Sequence, residues 1–265
     1  MTGNTIVDVV HRYKDLASEQ GKKLLAKYGL EPGGFILVTI HRQENTENPW
    51  RLENIAKALV ELSKHLPVVF PAHPRTLKKL ASKELLESMK SHVLLLEPLG
   101  YFEFLGLLSN TALVLTDSGG VQEEACILGI PTLTLRYNTE RPETVLARTN
   151  IVVGVKAEKV AETALKVLND QKYANKQKNR DGLLGDGKAG ERIAMILKDS
   201  IGKVKVEDSD TCKDPYIIHA LMKSAQIKCN PYEVVATYND NGLPVLKLDK
   251  ARMLLVRIAL KEFSK

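Results

Sequence analysis

From Phe35 onward the chain alternates short, wholly apolar runs with longer stretches in which apolar residues recur at helical spacing. The runs are FILVTI, VVFPAH, VLLLEPL, ALVLTD, PTLTLR and IVVGV. Between them lie WRLENIAKALVELSKHL, TLKKLASKELLESMK, FEFLGLLSN, VQEEACILG and PETVLARTN, and a further helix is expected around Glu158 to Asn169. Apolar runs without polar alternation suit strands buried on both faces, and helices that return the chain between them make those strands parallel. The pattern predicts an α/β fold, a parallel sheet wrapped by helices.

Local signals refine the picture. Asn48 followed by Pro49 reads as a helix N-cap and first helical residue, and Pro-Gly-Gly at 32 to 34 as a turn before the first strand. The polar stretch from Lys172 to Lys205 reads as helical, broken by glycines in LLGDGKAGER, and KVKVEDSDTCKDP reads as a linker. Beyond it the pattern changes to a helix (YIIHALMKSAQI), a hairpin (EVVATYNDNGLPVLKL) turning at Asn241-Gly242, and an amphipathic helix (ARMLLVRIALKEF). This small α+β tail carries no catalytic motif, and packing or assembly is its expected role.

Composition narrows the class. A chain of 265 residues accommodates one main domain with an appendage. No apolar run approaches the roughly 20 residues of a membrane span. The opening MTGNTIVDVVHRYKD lacks the basic flank and apolar stretch of a secretory signal, so a cytoplasmic protein is expected. Cys126, Cys212 and Cys229 are far apart and odd in number, which supports neither a disulfide framework nor a metal site, and ordinary reduced thiols are expected. The formal charge of +6 favours anionic partners, but the basic residues are interleaved with acids, so an anionic nucleotide suffices and nucleic acid is not required.

Ligands of parallel sheets bind at the carboxyl ends of the strands, and two stretches fall there. HRQEN follows FILVTI directly, and His41 and Arg42 are suited either to phosphate oxygens or to a structural capping role. TDSGGVQEEACILG follows the strand ALVLTD. Ser118, Gly119 and Gly120 read as a turn whose small residues let backbone N–H groups approach a diphosphate at a helix N-terminus. Glu123 and Glu124 then fall in the first helical turn, where they either complement the helix dipole or, in the case of Glu124, reach a ribose diol. Arg136, Thr139, Glu140, Arg141 and Glu143, after PTLTLR, form either a surface ion-pair cluster or part of the same site.

Taken together, TGNTIVD, TIHRQEN, FPAHPR, LLEPLGYFEFLGLL, TDSGGVQEEACILGIPTLTLR, TERPE and GDGKAGERI, in that order, resemble the non-hydrolysing UDP-N-acetylglucosamine 2-epimerases over roughly Met1 to Leu197. The resemblance implies the carboxy-terminal, UDP-binding half of a GT-B-like architecture. Residues 1–30 would then be the linking helix, 31–202 the Rossmann-like UDP-binding domain, and 203–265 the linker and appended tail. It implies interconversion of UDP-N-acetylglucosamine and UDP-N-acetylmannosamine, by elimination of UDP to 2-acetamidoglucal and its re-addition, without metal or other cofactor.

Carried over position by position, His41 matches the family's pyrophosphate histidine, Ser118, Gly119 and Gly120 its phosphate turn, and Glu124 its ribose-binding glutamate. Phe104 matches a residue beside the uracil. Leu99 stands where relatives commonly have Gln, so a uracil contact there would come from backbone atoms or be lost. Arg141 matches an arginine placed toward the active cleft, and together with His41 it is the candidate for a catalytic role. Arg42 and His73 resemble residues with which some bacterial relatives bind a second UDP-N-acetylglucosamine as activator. TGNTIVD normally follows an amino-terminal domain that holds the catalytic carboxylates, and here it follows Met1. The resemblance therefore implies a half that is completed by a separate amino-terminal half or paired in a homodimer, and that is inactive alone. An autonomous UDP-sugar-binding or regulatory module and a GT-B-like glycosyltransferase subunit are the competing expectations, since one fold hosts both chemistries.

Overall fold

A computed structural model describes residues 2–81, 85–170 and 182–201, and the strand segments Thr211–Cys212, Ala236–Tyr238 and Pro244–Lys247. The chain forms two compact units, Met1–Gly190 and Glu191–Lys265.

The first unit is built on a six-stranded sheet in the order β3-β2-β1-β4-β5-β6. Its strands are β1 (Ile36–Thr39), β2 (Val68–Pro71), β3 (Leu94–Leu96), β4 (Leu113–Thr116), β5 (Thr132–Thr134) and β6 (Asn150–Val152). Every pairing is parallel, with β1 in register against β4 from Ile36 opposite Leu113 to Thr39 opposite Thr116. The apolar runs of the sequence are these strands, and both faces of the four inner ones are buried, as expected for a parallel sheet, while the edge strands β3 and β6 are partly exposed. Ile36, Val38, Phe70, Leu113, Leu115 and Leu133 join a core with α3 (Pro49–Leu62) and α9 (Ala157–Asn169). The alternate residues Leu37, Val69 and Val114 join a second core with α1 (Thr5–Tyr28), α6 (Tyr101–Leu108) and α7 (Gly119–Leu128).

Sequence reasons for the helices are visible at their ends. Asn48 accepts the Arg51 N–H at 3.2 Å with Pro49 as first helical residue, so α3 starts where the sequence placed it. Asn4 accepts the Ile6 N–H at 3.0 Å to start α1, and Gly29 ends that helix in the left-handed conformation. Of the helix expected over TLKKLASKELLESMK, the described residues form α4 (Pro74–Ala81) and α5 (Leu85–Lys90), and residues 82–84 lie outside the described residues. Two shorter helices are α2 (Gln43–Thr46) and α8 (Pro142–Leu146). The glycine break at 182 to 188 leads into α10 (Ala189–Ile201), whose first N–H groups, at Ala189 and Gly190, are capped by the Asp8 carboxylate at 3.2 and 2.9 Å.

Helices α1 and α6 cross at unusually close range. A Cβ on Gly21 would stand 2.7 Å from the Gly106 carbonyl oxygen, and one on Gly106 would collide with the Ala17 carbonyl. Only glycine permits the backbones to meet this way.

The second unit contains an antiparallel sheet in the order β7-β9-β8, formed by β7 (Thr211–Cys212), β8 (Ala236–Tyr238) and β9 (Pro244–Lys247). The expected hairpin is present as β8 and β9, but the stretch read as a linker contributes the third strand. Strand β7 was missed because two residues pairing with a distant partner leave no periodicity to read. The expected helices at 216–227 and 251–263, and the turn at Asn241-Gly242, lie outside the described residues.

Candidate functional site

In a sheet of this order, chain direction across the sheet reverses between β1 and β4, and a crevice opens at their carboxyl ends. Asp117, the residue after β4, is fully buried there. Its carboxylate accepts the His41 N–H at 3.1 and 3.2 Å, the Arg42 N–H at 3.0 Å and the Asn45 side-chain amide at 3.1 Å. Asn45, itself buried, also donates to the Leu135 carbonyl at 2.9 Å, so one carboxylate ties together the ends of β1, β4 and β5. The His41 ring is half-exposed, with Nδ1 3.5 Å from Asp117. Its backbone is thereby fixed while its side chain faces the crevice rim.

Helix α7 opens onto the same crevice. Ser118 is its N-cap, but the serine hydroxyl makes no capping bond, and the Ser118 N–H is occupied by Thr116 Oγ1 at 2.9 Å. The N–H groups of Gly119, Gly120 and Val121 have no acceptor one turn back in the helix. This corrects two sequence expectations. Gly119 and Gly120 are the first helical residues and not a preceding turn, which puts Glu123 and Glu124 in the second turn, beyond the reach of first-turn dipole complementation. The reason is that Ser118 already adopts the cap conformation, so the helix begins one residue later rather than after the glycines.

Glu123 and Glu124 diverge from there. Glu123 accepts the Asn4 amide at 2.7 Å and has Arg141 Nε 2.6 Å away, although Nε is out of line for a hydrogen bond. Glu124 is only 7% exposed and faces the start of α6, where Tyr101 donates to it. Burial raises the Glu124 carboxyl to about 7, with the neighbouring Glu123 charge adding and the Tyr101 hydroxyl opposing. Tyr101 is pushed up to about 12 by burial and by the carboxylate it faces. Leu99 and Phe104 flank Tyr101, half-buried against the core under α1 and α6.

The loop after β5 completes the edge. Arg136 is 7% exposed, which removes it from the class of surface ion pairs. Its guanidinium meets Glu44 at 2.6 Å and Glu140 at 3.3 Å, and Glu140 also lies 3.4 Å from Arg42. The Arg141 guanidinium stands over Gly119, at 3.7 Å from where a Cβ would be, and donates to the Glu140 carbonyl at 3.0 Å. Thr76 donates to the Ile40 carbonyl at 3.1 Å and to the His73 carbonyl through its N–H at 2.8 Å, which places exposed His73 at the same end of the sheet.

The structure thus gathers His41, Arg42, Ser118, Gly119, Gly120 and Arg141 around one helix N-terminus. Glu124, Leu99 and Phe104 sit further along, by α6, and His73 follows β2 on the other side of β1. Asp117, Asn45 and Tyr101 were not among the expected site residues. An acid directly after a fully apolar strand was the available signal for Asp117. Among the described residues no group of three or more His, Cys, Asp or Glu is placed to hold a metal, and no helix is long and apolar enough to cross a membrane. Cys126 is buried, and its sulfur accepts the Thr149 hydroxyl at 3.5 Å.

Sheet order, helices on both faces and a receptive helix N-terminus at the switch point define a Rossmann-like α/β protein of the GT-B type. The family model described as UDP-N-acetylglucosamine 2-epimerase matches residues 1–198. The UDP-N-acetylglucosamine 2-epimerase of Methanocaldococcus jannaschii is 42% identical over 203 residues, covering 74% of this chain and 54% of that protein. The UDP-2,3-diacetamido-2,3-dideoxy-D-glucuronate 2-epimerase of Pseudomonas aeruginosa is 40% identical over 197 residues, covering 72% and 52%. The crystal structure of the M. jannaschii enzyme in complex with UDP-GlcNAc and UDP superposes with a TM-score of 0.66 at 41% identity, over 75% of this chain and 54% of that one. The chain belongs to the UDP-N-acetylglucosamine 2-epimerase family, and it spans about half the length of these relatives.

Proposed function

We propose that this chain is the UDP-binding half of a UDP-N-acetylglucosamine 2-epimerase. The observation that carries the reading is the convergence of His41, Arg141 and the unpaired N-terminus of α7 at the sheet's switch point, in a chain of this family. The diphosphate would sit against the N–H groups of Gly119 and Gly120, where helix dipole and free donors favour an anion, with Ser118 and His41 beside it. Glu124 would accept from the ribose hydroxyls, and the uracil would lie by Phe104 and the Leu99 backbone. Retention of the departing diphosphate is what the elimination and re-addition of UDP demands, since an escaped leaving group ends the reaction.

His41 and Arg141 are the residues of this chain offered for the reacting end. The acid–base groups for C2 belong, on the family's pattern, to the half of the relatives that this sequence does not span. Acid–base groups contribute factors of about 100 to 10,000 each, so this half binds UDP and UDP-N-acetylglucosamine but turns over little by itself. Arg42 and His73 stand at the same sheet end and are proposed to contact a second, activating UDP-sugar.

Calorimetry with UDP tests the reading. Saturable binding by the wild-type chain and at least tenfold weaker binding by His41→Ala are expected, and no heat at millimolar UDP would refute it. A second reading, in which the sugar is a diacetamido-glucuronate, is favoured by the 40% identity to the Pseudomonas aeruginosa enzyme, and C2 inversion of each sugar in the completed enzyme separates the two.

A further inference from the structure

We propose that Gln122, Thr139 and Asn150 form a buried positioning network whose task is to hold Arg141 over the N-terminus of α7, an inference that rests on the reading of Arg141 as facing the bound UDP-sugar. Gln122 is 1% and Asn150 2% exposed, and both carry polar side chains into a region where apolar residues would pack more cheaply. Their bonds converge on Gln122 Oε1 from two sides. The Thr134 hydroxyl donates to Asn150 Oδ1 at 2.7 Å, and the Asn150 amide donates to Gln122 Oε1 at 3.0 Å. The same Gln122 oxygen accepts the Thr139 hydroxyl at 2.6 Å, and Thr139 Oγ1 in turn accepts the Arg141 N–H at 3.0 Å.

A second branch reaches the other side of the same residue. Asn150 also donates to Thr144 Oγ1 at 3.2 Å, and the Thr144 hydroxyl and N–H donate to the Arg141 carbonyl at 2.7 and 3.1 Å. Both backbone polar groups of Arg141 are therefore fixed from the buried side chains of α7, β5 and β6. At the guanidinium end Arg141 is ion-paired with Glu123 at 2.6 Å, out of line for a hydrogen bond, and donates to the Glu140 carbonyl at 3.0 Å.

Gln122 Nε2 is buried and has no hydrogen-bond partner. An unsatisfied buried donor opposes folding, so stability alone gives no reason for glutamine at this position. Its oxygen, accepting from Thr139 and Asn150 at once, is what the site gains.

The test is made on the full chain with Thr139→Val, Thr139→Ser and Gln122→Met, following the Nε–H relaxation of Arg141 by NMR and UDP binding by calorimetry. Thr139→Val and Gln122→Met are expected to release Arg141, lowering its order parameter from the rigid range to below about 0.6, with about tenfold weaker UDP binding, and Gln122→Met, which takes the acceptor from the Asn150 amide, is also expected to lower the thermal midpoint. Thr139→Ser, which keeps the hydroxyl, is expected to restore both within twofold. An Arg141 that stays ordered in Thr139→Val, a serine variant as mobile as the valine one, or unchanged UDP affinity with Arg141 released overturns the proposal. If the wild-type chain binds no UDP, the ligand assignment fails by itself, and the arginine relaxation still decides whether the network exists.

Discussion

Asp117 shows how much of the site hangs on one side chain. Its carboxylate receives two backbone N–H groups and an amide, from His41, Arg42 and Asn45. Asp117→Ala leaves those donors without an acceptor, and at about 1–3 kcal/mol for each unsatisfied buried group the variant should lose about 3 kcal/mol or more in urea denaturation. It should also bind UDP more weakly than its stability loss explains, because His41 is no longer fixed. Glu124 makes a prediction about pH. The folded protein holds this carboxyl at about 7, against an ordinary value of 4.5, so folding takes up a proton between those values. The stability it contributes is fully present below pH 4.5 and is lost as pH rises to about 7, by up to about 3 kcal/mol. Denaturation at pH 5 and pH 8 should show that part of the loss disappear in Glu124→Gln. UDP affinity should respond in the opposite sense, since hydroxyls donated by a ribose favour the carboxylate. Between pH 6 and 8 the wild-type affinity should rise relative to Glu124→Gln, a comparison in which the phosphate's own titration cancels.

Among the elements, the six strands and the start of α3 were legible in the sequence for local reasons. A strand buried on both faces shows as an unbroken apolar run, and an Asn-Pro cap is contiguous. The start of α7 was misplaced because its N-cap is set by the backbone conformation of Ser118, and two glycines in sequence are equally consistent with a turn. Roles that depend on distant partners were illegible: Asp117 bonds residues 75 and 76 positions away, and Gln122 is paired across 17 and 28 positions. Nothing in the local pattern marks Gln122, and Asp117 is marked only by its place directly after an apolar strand. The glycines of α1 and α6 were equally silent, since their reason is each other. Gly21→Ala should cost about 2 kcal/mol through the forced separation of the two backbones, a fall of about 4–8 °C in the thermal midpoint by calorimetry.

At the scale of the whole molecule, the family and the α/β architecture were both readable from motifs at the strand ends, and the sheet order bears out that architecture. Coverage of about half of each relative sets the functional expectation. Incubated with UDP-N-acetylglucosamine, this chain should show UDP binding without measurable C2 inversion by NMR. Adding a polypeptide equivalent to the remaining half of the relatives should start inversion, and robust turnover without it would show that the acid–base groups lie among the residues described above. The close helix crossing bears on this. At 1.5 Å per residue α1 is a rod of about 36 Å, and its contact at Gly21 lies about 25 Å from Asn4. On that lever arm a tilt of about two degrees moves Asn4 by nearly 1 Å, enough to break its 2.7 Å bond to Glu123 beside Arg141. The packing of Val7, Val10 and Ala17 between those two points is what keeps the first turn of α1 in place at the mouth of the crevice.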